Sequence, residues 1–176
     1  WHSVSINDFY SIVFFNRALK SAKVADNDIG DEGAIAISAA LETNSTLSSL
    51  NLKGPQFGTK ITAKGAQAIA KMLEVNRALT ALDVRSNALG DGSATLAKAV
   101  AKNEHIVTFC EIPVKRMRDD ALTELDLKDR SIGACGAMVV AHLLEFSRAL
   151  TSVNLLYSDL GEGATAVAAG RSCRSI

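Results

Sequence analysis

The chain has 176 residues, 48% of them hydrophobic and 22% charged, enough to build and bury one core. Its 19 Lys+Arg balance its 19 Asp+Glu, which argues against a general nucleic-acid binder, and only 5% of residues are aromatic, leaving few rings to stack on bases or fill a ligand pocket. The cysteines Cys110, Cys135 and Cys173 form neither a CxxC pair nor a complete disulfide set, and no apolar run approaches the roughly 20 residues of a membrane span; an intracellular, cytoplasmic protein with no membrane insertion is expected.

Taken in chain order, residues 1–18 read as a cap or the end of a preceding repeat, with Ile6, Phe9, Ile12 and Val13 at helical spacing. Trp1, Tyr10, Phe14 and Phe15 give this stretch an aromatic character that also suits a partner-binding edge. The chain starts at Trp1 and stops inside a repeat, so it reads as a fragment. One phrase then recurs: Asn16-Arg17-Ala18-Leu19, Asn76-Arg77-Ala78-Leu79 and Ser147-Arg148-Ala149-Leu150, with a looser copy at Asn44-Ser45-Thr46-Leu47. Aligned on the leucine, about six repeats start near 19, 47, 79, 106, 122 and 150 within a single domain spanning 1–176.

Each repeat opens on an L-x-x-L-x-L strand, such as Leu47/Leu50/Leu52 or Leu122/Leu125/Leu127, and continues through an apolar-Gly step such as Ile29-Gly30 or Ile132-Gly133. Helices follow at Ala34–Leu41, Ala66–Leu73, Ala94–Val100 and Ala137–Leu144, where apolar residues lie three and four apart. Asp31 and Asp91 are expected to cap the helices they precede. Gly33, Gly65 and Gly136 recur at one turn position, which suits close approach between neighbouring repeats. The second repeat carries an insertion, Lys53 to Lys60, whose Gly54, Pro55 and Gly58 predict a protruding loop. The repeat at 106 is too short for a helix and is expected to lack one; the last repeat is truncated.

The phrase N-x-x-L-x-x-L-x-L-x-x-N-x-I-G-D-E-G-A resembles leucine-rich repeats of the ribonuclease-inhibitor type, a group also found in NOD-like receptors, Ran GTPase-activating proteins and tropomodulins. The resemblance implies an α/β leucine-rich-repeat solenoid: a curved horseshoe segment with parallel strands on the concave side and helices on the convex side. It also implies an Asn after each strand to tie down the turn. Asn27 and Asn87 match, whereas Pro55, Arg130 and Ser158 depart, which should loosen those turns unless Asp129 or Asp159 substitutes.

In that architecture the residues flanking the core leucines face the inner curve. The strand at His105–Ile112 admits two registers; counting from Ile106 puts Glu111 at a core position, which is costly. Counting from Val107 puts Cys110 and Ile112 inside and Phe109 and Glu111 outside, and is preferred. The inner face then holds Phe109, an acidic strip of Asp83, Glu111, Glu124 and Asp126, and a basic row of Lys53, Arg85 and Lys128. Such rows either pair with one another or complement a charged partner. A second cluster, Lys115, Arg116 and Arg118, is either a solvated return segment or a docking patch for an acidic partner.

No HExxH, GxSxG, P-loop or Cys/His ligand cluster is present, and His2, His105 and His142 lie in unrelated contexts, so neither catalysis, a metal nor a cofactor is expected. The leading expectation is a non-catalytic protein-protein interaction scaffold that binds another protein through the concave face, the 53–60 loop or both. The alternative is a structural subunit of a larger, multi-subunit assembly docked by its ends. A GTPase-activating protein is a distant third.

Overall fold

The computed structural model describes residues 16–172; Cys173 and the part of the expected N-terminal cap that precedes Asn16 lie outside the described residues. Strands β1 (Ser21–Lys23), β2 (Ser49–Asn51), β3 (Ala81–Asp83), β4 (Thr108–Phe109), β5 (Glu124–Asp126) and β6 (Ser152–Asn154) alternate with helices. These are α1 (Gly30–Thr43), α2 (Ala63–Val75), α3 (Gly92–Lys102), α4 (Val114–Arg118), α5 (Gly133–Leu144) and α6 (Gly163–Ser172). Strand pairs are parallel, with Ala22, Leu50, Leu82 and Phe109 opposite one another across β1–β4, and Leu125 opposite Val153 across β5–β6. Side chains alternate along a strand, so these central residues point at the helices and join one continuous apolar cluster with Leu41, Leu73, Leu96 and Val140.

The expectation of a horseshoe whose concave side is one strand-lined sheet is corrected. The described residues are largely helical: the strands are two or three residues long, whereas five of the helices run from 10 to 14 residues. The strands also form two sheets, β1-β2-β3-β4 and β5-β6. The interruption has a local cause. Cys110 and Glu111 both adopt left-handed backbone, at φ 49° and 66°, which ends β4 and turns the chain back so that Ile112 pairs antiparallel with Phe109. The helical layer is not interrupted, because α3 packs directly on α5 and bypasses the short unit between them.

That turn also corrects the preferred register at Val107 and Phe109, while Cys110 and Ile112 are buried and Glu111 is exposed, as that register expects. Phe109 is fully buried at the core position opposite Leu82, Val107 is exposed, and Ile106 is buried where Leu47 and Leu79 stand in earlier units. Counting from Ile106 is therefore correct as far as Phe109. The cost that counted against it never arises, because the left-handed pair swings Glu111 out to solvent before it reaches a core position. The unit at 106 is not without a helix either: Val114–Arg118 forms a five-residue one, α4, with Val114 and Met117 in the core.

Between units the polar bonds are long-range in sequence. Asn76 is buried, donates from Nδ2 to the carbonyls of Leu41 (2.7 Å) and Asn44 (3.0 Å), and accepts at Oδ1 from the amides of Ala78 (3.0 Å) and Leu79 (2.8 Å). Asn103 repeats this one unit later, reaching Leu73 O (2.7 Å) and taking the Ile106 amide (3.1 Å). Where the phrase reads Ser147 in place of Asn, Asp120 of the preceding unit accepts the amides of Arg148 (2.7 Å) and Ala149 (2.8 Å). Asp31 does not cap its own helix, which has no side-chain cap. It caps α2 instead, accepting the Thr62 hydroxyl at 2.6 Å and the amides of Thr62 (2.8 Å) and Gly65 (2.9 Å). Gly65 has to be glycine here, since a Cβ would lie 2.5 Å from Ile61 Cγ2 and 2.7 Å from Asp31 Oδ1. After β6, the turn is tied by the Ser158 hydroxyl donating to Leu127 O (2.7 Å), not by Asp159.

Candidate functional site

The strand side of the molecule carries a groove of about 670 Å³ that spans the break between the two sheets. It gathers six of the residues singled out from the sequence: Asp83, Arg85, Glu111, Arg116, Glu124 and Asp126. Arg85 is the centre of its electrostatics. The guanidinium meets Asp83 Oδ2 at 2.7 Å and Glu111 Oε1 at 2.6 Å, and donates to the carbonyl of Arg130 at 2.9 Å. Arg130 then reaches the other oxygen of Glu111 at 2.5 Å. A chain of charge thus runs from β3 across the break to the loop after β5, stapling the two sheets where no backbone ladder joins them.

The titration behaviour follows from this clasp. Hydrogen bonding to Asp83, against some burial and with the Glu111 charge adding, raises Arg85 above its ordinary value. Burial pushes the Glu111 carboxyl up, but Arg130 and Arg85 together hold it below its ordinary value. Glu124 and Asp126 remain exposed, and Asp126 Oδ1 accepts the backbone amide of Lys128 at 3.0 Å. The acidic strip is therefore two different things: an internally paired half at Asp83 and Glu111, and an open half at Glu124 and Asp126.

Five of the sequence-selected residues stand outside the groove. Phe109 is core, so its expected place on the inner face is corrected. Lys53 is half-buried at the start of the inserted loop, and Lys128 is exposed with its Nζ 4.0 Å from Asp129. The 115–118 cluster divides three ways. Lys115 pairs with Asp119 at 2.8 Å, one turn along α4. Arg116 faces the groove. Arg118 lies on the C-terminal carbonyls of α3, donating to Asn103 O at 3.0 Å and to Val100 O at 3.4 Å, where a cation complements the helix end.

Two residues that the sequence reading did not single out by themselves, one of them inside the 53–60 loop it selected, matter more than several that it did. Arg130 closes the clasp, but its partner Glu111 lies 19 positions away with no periodic relation to it. Phe57, in the inserted loop, is 83% exposed. The signal for it was present: an aromatic residue in an insertion, next to Gly58, with no apolar neighbour to pack on. Its loop is held firmly. Thr59 donates to Asp28 Oδ1 at 2.9 Å, Ile61 donates to Asn87 Oδ1 at 3.0 Å, and Pro55 is buried.

The groove offers little chemistry. Among the described residues no three His, Cys, Asp or Glu side chains gather as a metal site. Burial pushes the Cys135 thiol up to about 12, and burial, with Cys135 adding, pushes Cys110 well up, so neither is an activated nucleophile. No helix of the described residues is long and apolar enough to cross a membrane.

Comparison with known proteins bears on the fold. A family model described as "Leucine Rich repeat" matches residues 16–38 and 75–95, well under half of the chain. No curated protein sequence matches. Among solved structures, the chain is similar to "Leiomodin-1 Actin-Binding Site 2 (ABS2)", with TM-score 0.58 and 21% identity over 97% of this chain and 90% of that one. It is also similar to a tropomodulin C-terminal domain from Caenorhabditis elegans, with TM-score 0.56 and 17% identity over 96% and 92%. These likenesses correct the ribonuclease-inhibitor-type resemblance: at the level of the whole chain, the architecture matches the largely helical domain of leiomodin and tropomodulin rather than a strand-lined horseshoe.

Proposed function

We propose that this chain is a non-catalytic protein-interaction domain that serves as a structural part of an actin-associated assembly inside the cell. The observation that carries the reading is the whole-length likeness to a domain whose printed name is an actin-binding site. The distribution of charge and apolar surface supports docking through connecting loops over docking in the groove. The best-formed charges of the groove, at Asp83, Arg85 and Glu111, are already paired with one another. The most exposed large apolar side chains are instead on connecting segments: Phe57 after β2, Phe146 after α5, and Leu156 and Tyr157 after β6.

The test is co-sedimentation with actin filaments, paired with fluorescence titration of monomeric actin. Saturable binding to either form, weakened by Phe57→Ser or Tyr157→Ser and unaffected by Glu124→Ala/Asp126→Ala, supports the reading. If the groove pair alone abolishes binding, the concave-face reading replaces it. Absence of binding to both forms up to about 100 µM, roughly −5.5 kcal/mol, removes actin as the partner.

A further inference from the structure

In three of the connections that follow a strand, the third residue beyond the strand turns the chain in left-handed backbone: Asp26 after β1, Ser86 after β3 and Asp129 after β5, each at φ 59°. Short polar side chains tolerate that conformation, whereas a bulky one is rarely found in it. After β6 the same position is Tyr157, at φ 55°. The ring gives the fold little in return, being 76% exposed. The turn is held by other groups. Leu156 donates to Asn154 Oδ1 at 3.2 Å, Asp129 donates to the Leu156 carbonyl at 2.9 Å, and the Ser158 hydroxyl donates to Leu127 O at 2.7 Å.

Backbone strain held at an exposed side chain that the core does not use points to a role outside the fold. We infer that Tyr157 is a partner-binding anchor whose ring seats in an apolar pocket of actin. The inference rests on the actin reading above and names the residue that carries it. Leu156, just before it, is 59% exposed as well, where the equivalent turns place Ala25, Arg85 and Lys128. Of these four turns, the one after β6 thus leaves two adjacent large apolar side chains in solvent. A tyrosine buries a large area while fixing few torsions, and a turn already held by Asn154, Asp129 and Ser158 adds little ordering cost on docking. The partner gains the ring; the turn loses the kind of residue its backbone favours.

The experiment pairs fluorescence titration of monomeric actin and co-sedimentation with filaments against urea unfolding, for wild type, Tyr157→Asn and Tyr157→Phe. Asparagine suits the left-handed turn, so the urea midpoint of Tyr157→Asn should equal or exceed that of wild type while its affinity for actin falls about tenfold or more. Tyr157→Phe keeps the ring area and should bind within about threefold of wild type. A lowered urea midpoint in Tyr157→Asn means that the ring packs on the fold, and overturns the inference. So does unchanged affinity in Tyr157→Asn while wild type binds, an outcome that leaves the actin reading standing. An equal loss of binding in Tyr157→Phe overturns the apolar pocket. Wild type that binds neither form of actin removes the reading and the inference together. Sedimentation velocity of the chain alone supplies the last arm: a dimer abolished by Tyr157→Asn assigns the ring to a second copy of this chain and overturns the inference.

Discussion

Replacing Asn76 by alanine should be among the most damaging polar substitutions in the chain. Its amide is 3% exposed and makes four hydrogen bonds at 2.7–3.0 Å, two as donor to the end of α1 and two as acceptor from the approach to β3. Alanine leaves the Leu41 and Asn44 carbonyls and the Ala78 and Leu79 amides to find other partners in a place water reaches poorly. A net bond is worth about 1 kcal/mol, and an orphaned buried group costs about 1–3 kcal/mol. Even with partial relaxation the loss is about 3–5 kcal/mol, a large share of the roughly 5–15 kcal/mol that holds a domain. Asn16 is the internal control, since it caps the start of its own unit in the same way, with 2.9 Å bonds from Ala18 and Leu19, but is exposed. Asn16→Ala should cost less than about 1 kcal/mol, because water takes over. Urea unfolding by circular dichroism measures both, and amide exchange should show lost protection at the Ala78 and Leu79 amides. If Asn76→Ala falls within about 1 kcal/mol of Asn16→Ala, the buried ladder is not what couples one unit to the next, and the reasoning fails.

Three further outcomes follow from the same geometry. Phe109→Ala should destabilise by about 3–5 kcal/mol in urea melts, as for a fully buried aromatic, and a loss under about 1 kcal/mol would return Phe109 to the surface. Asp31, Glu111 and Asp120 are all held below their ordinary values of 3.8, 4.5 and 3.8. For Asp31 and Glu111, burial pushes up and the hydrogen bonds of Thr62 and Gly65, or the charges of Arg130 and Arg85, outweigh it; for Asp120 the Ala149 amide leads. The stabilisation from groups depressed in the folded state is complete above those ordinary values and is lost as pH falls through the lower folded ones. The thermal midpoint should therefore be level down to about pH 5 and drop below about pH 4, with a shallower drop in Asp31→Asn/Glu111→Gln; an unchanged slope in that variant would contradict the assignment. Finally, iodoacetamide at about pH 8 should label Cys110 and Cys135 far more slowly in the folded protein than in urea, as read by peptide mass mapping, and equal rates would show that the thiols are not shut in the core.

What could be read from residues alone depended on the range of the interaction. Alternation along a strand is local, so Leu47, Leu50 and Leu52 are legible as interior residues, and all three are at most 2% exposed. Asp31 is legible as a helix cap by its chemistry, but not as the cap of a helix that begins 32 positions later. The same distance hides the role of Asn76, whose carbonyl partners lie 32 and 35 positions back. Register counting fails at Phe109 for a different reason: it assumes extended backbone, and the left-handed pair Cys110–Glu111 breaks that assumption. The overall class failed at a third level. Spacing describes one unit at a time and does not convey that the strands shrink to two or three residues, or that the sheet stops at β4 while the helices continue.

The break at β4 has a further consequence for where a partner can dock. Ending the ladder there removes backbone bonds between the two sheets, and the Arg85–Glu111–Arg130 clasp occupies the gap. A partner entering the groove centre has to desolvate that clasp or separate charges 2.6 Å apart, and in return gains contacts worth little more than those it displaces. Phe57 faces no such opposition. It is already desolvated on no side, and its loop is fixed by Asp28 and Asn87, so a partner pocket gains the full apolar area of the ring without having to order the segment that carries it. Binding should accordingly concentrate on the connecting loops, where this fold has left most of its large apolar side chains in solvent.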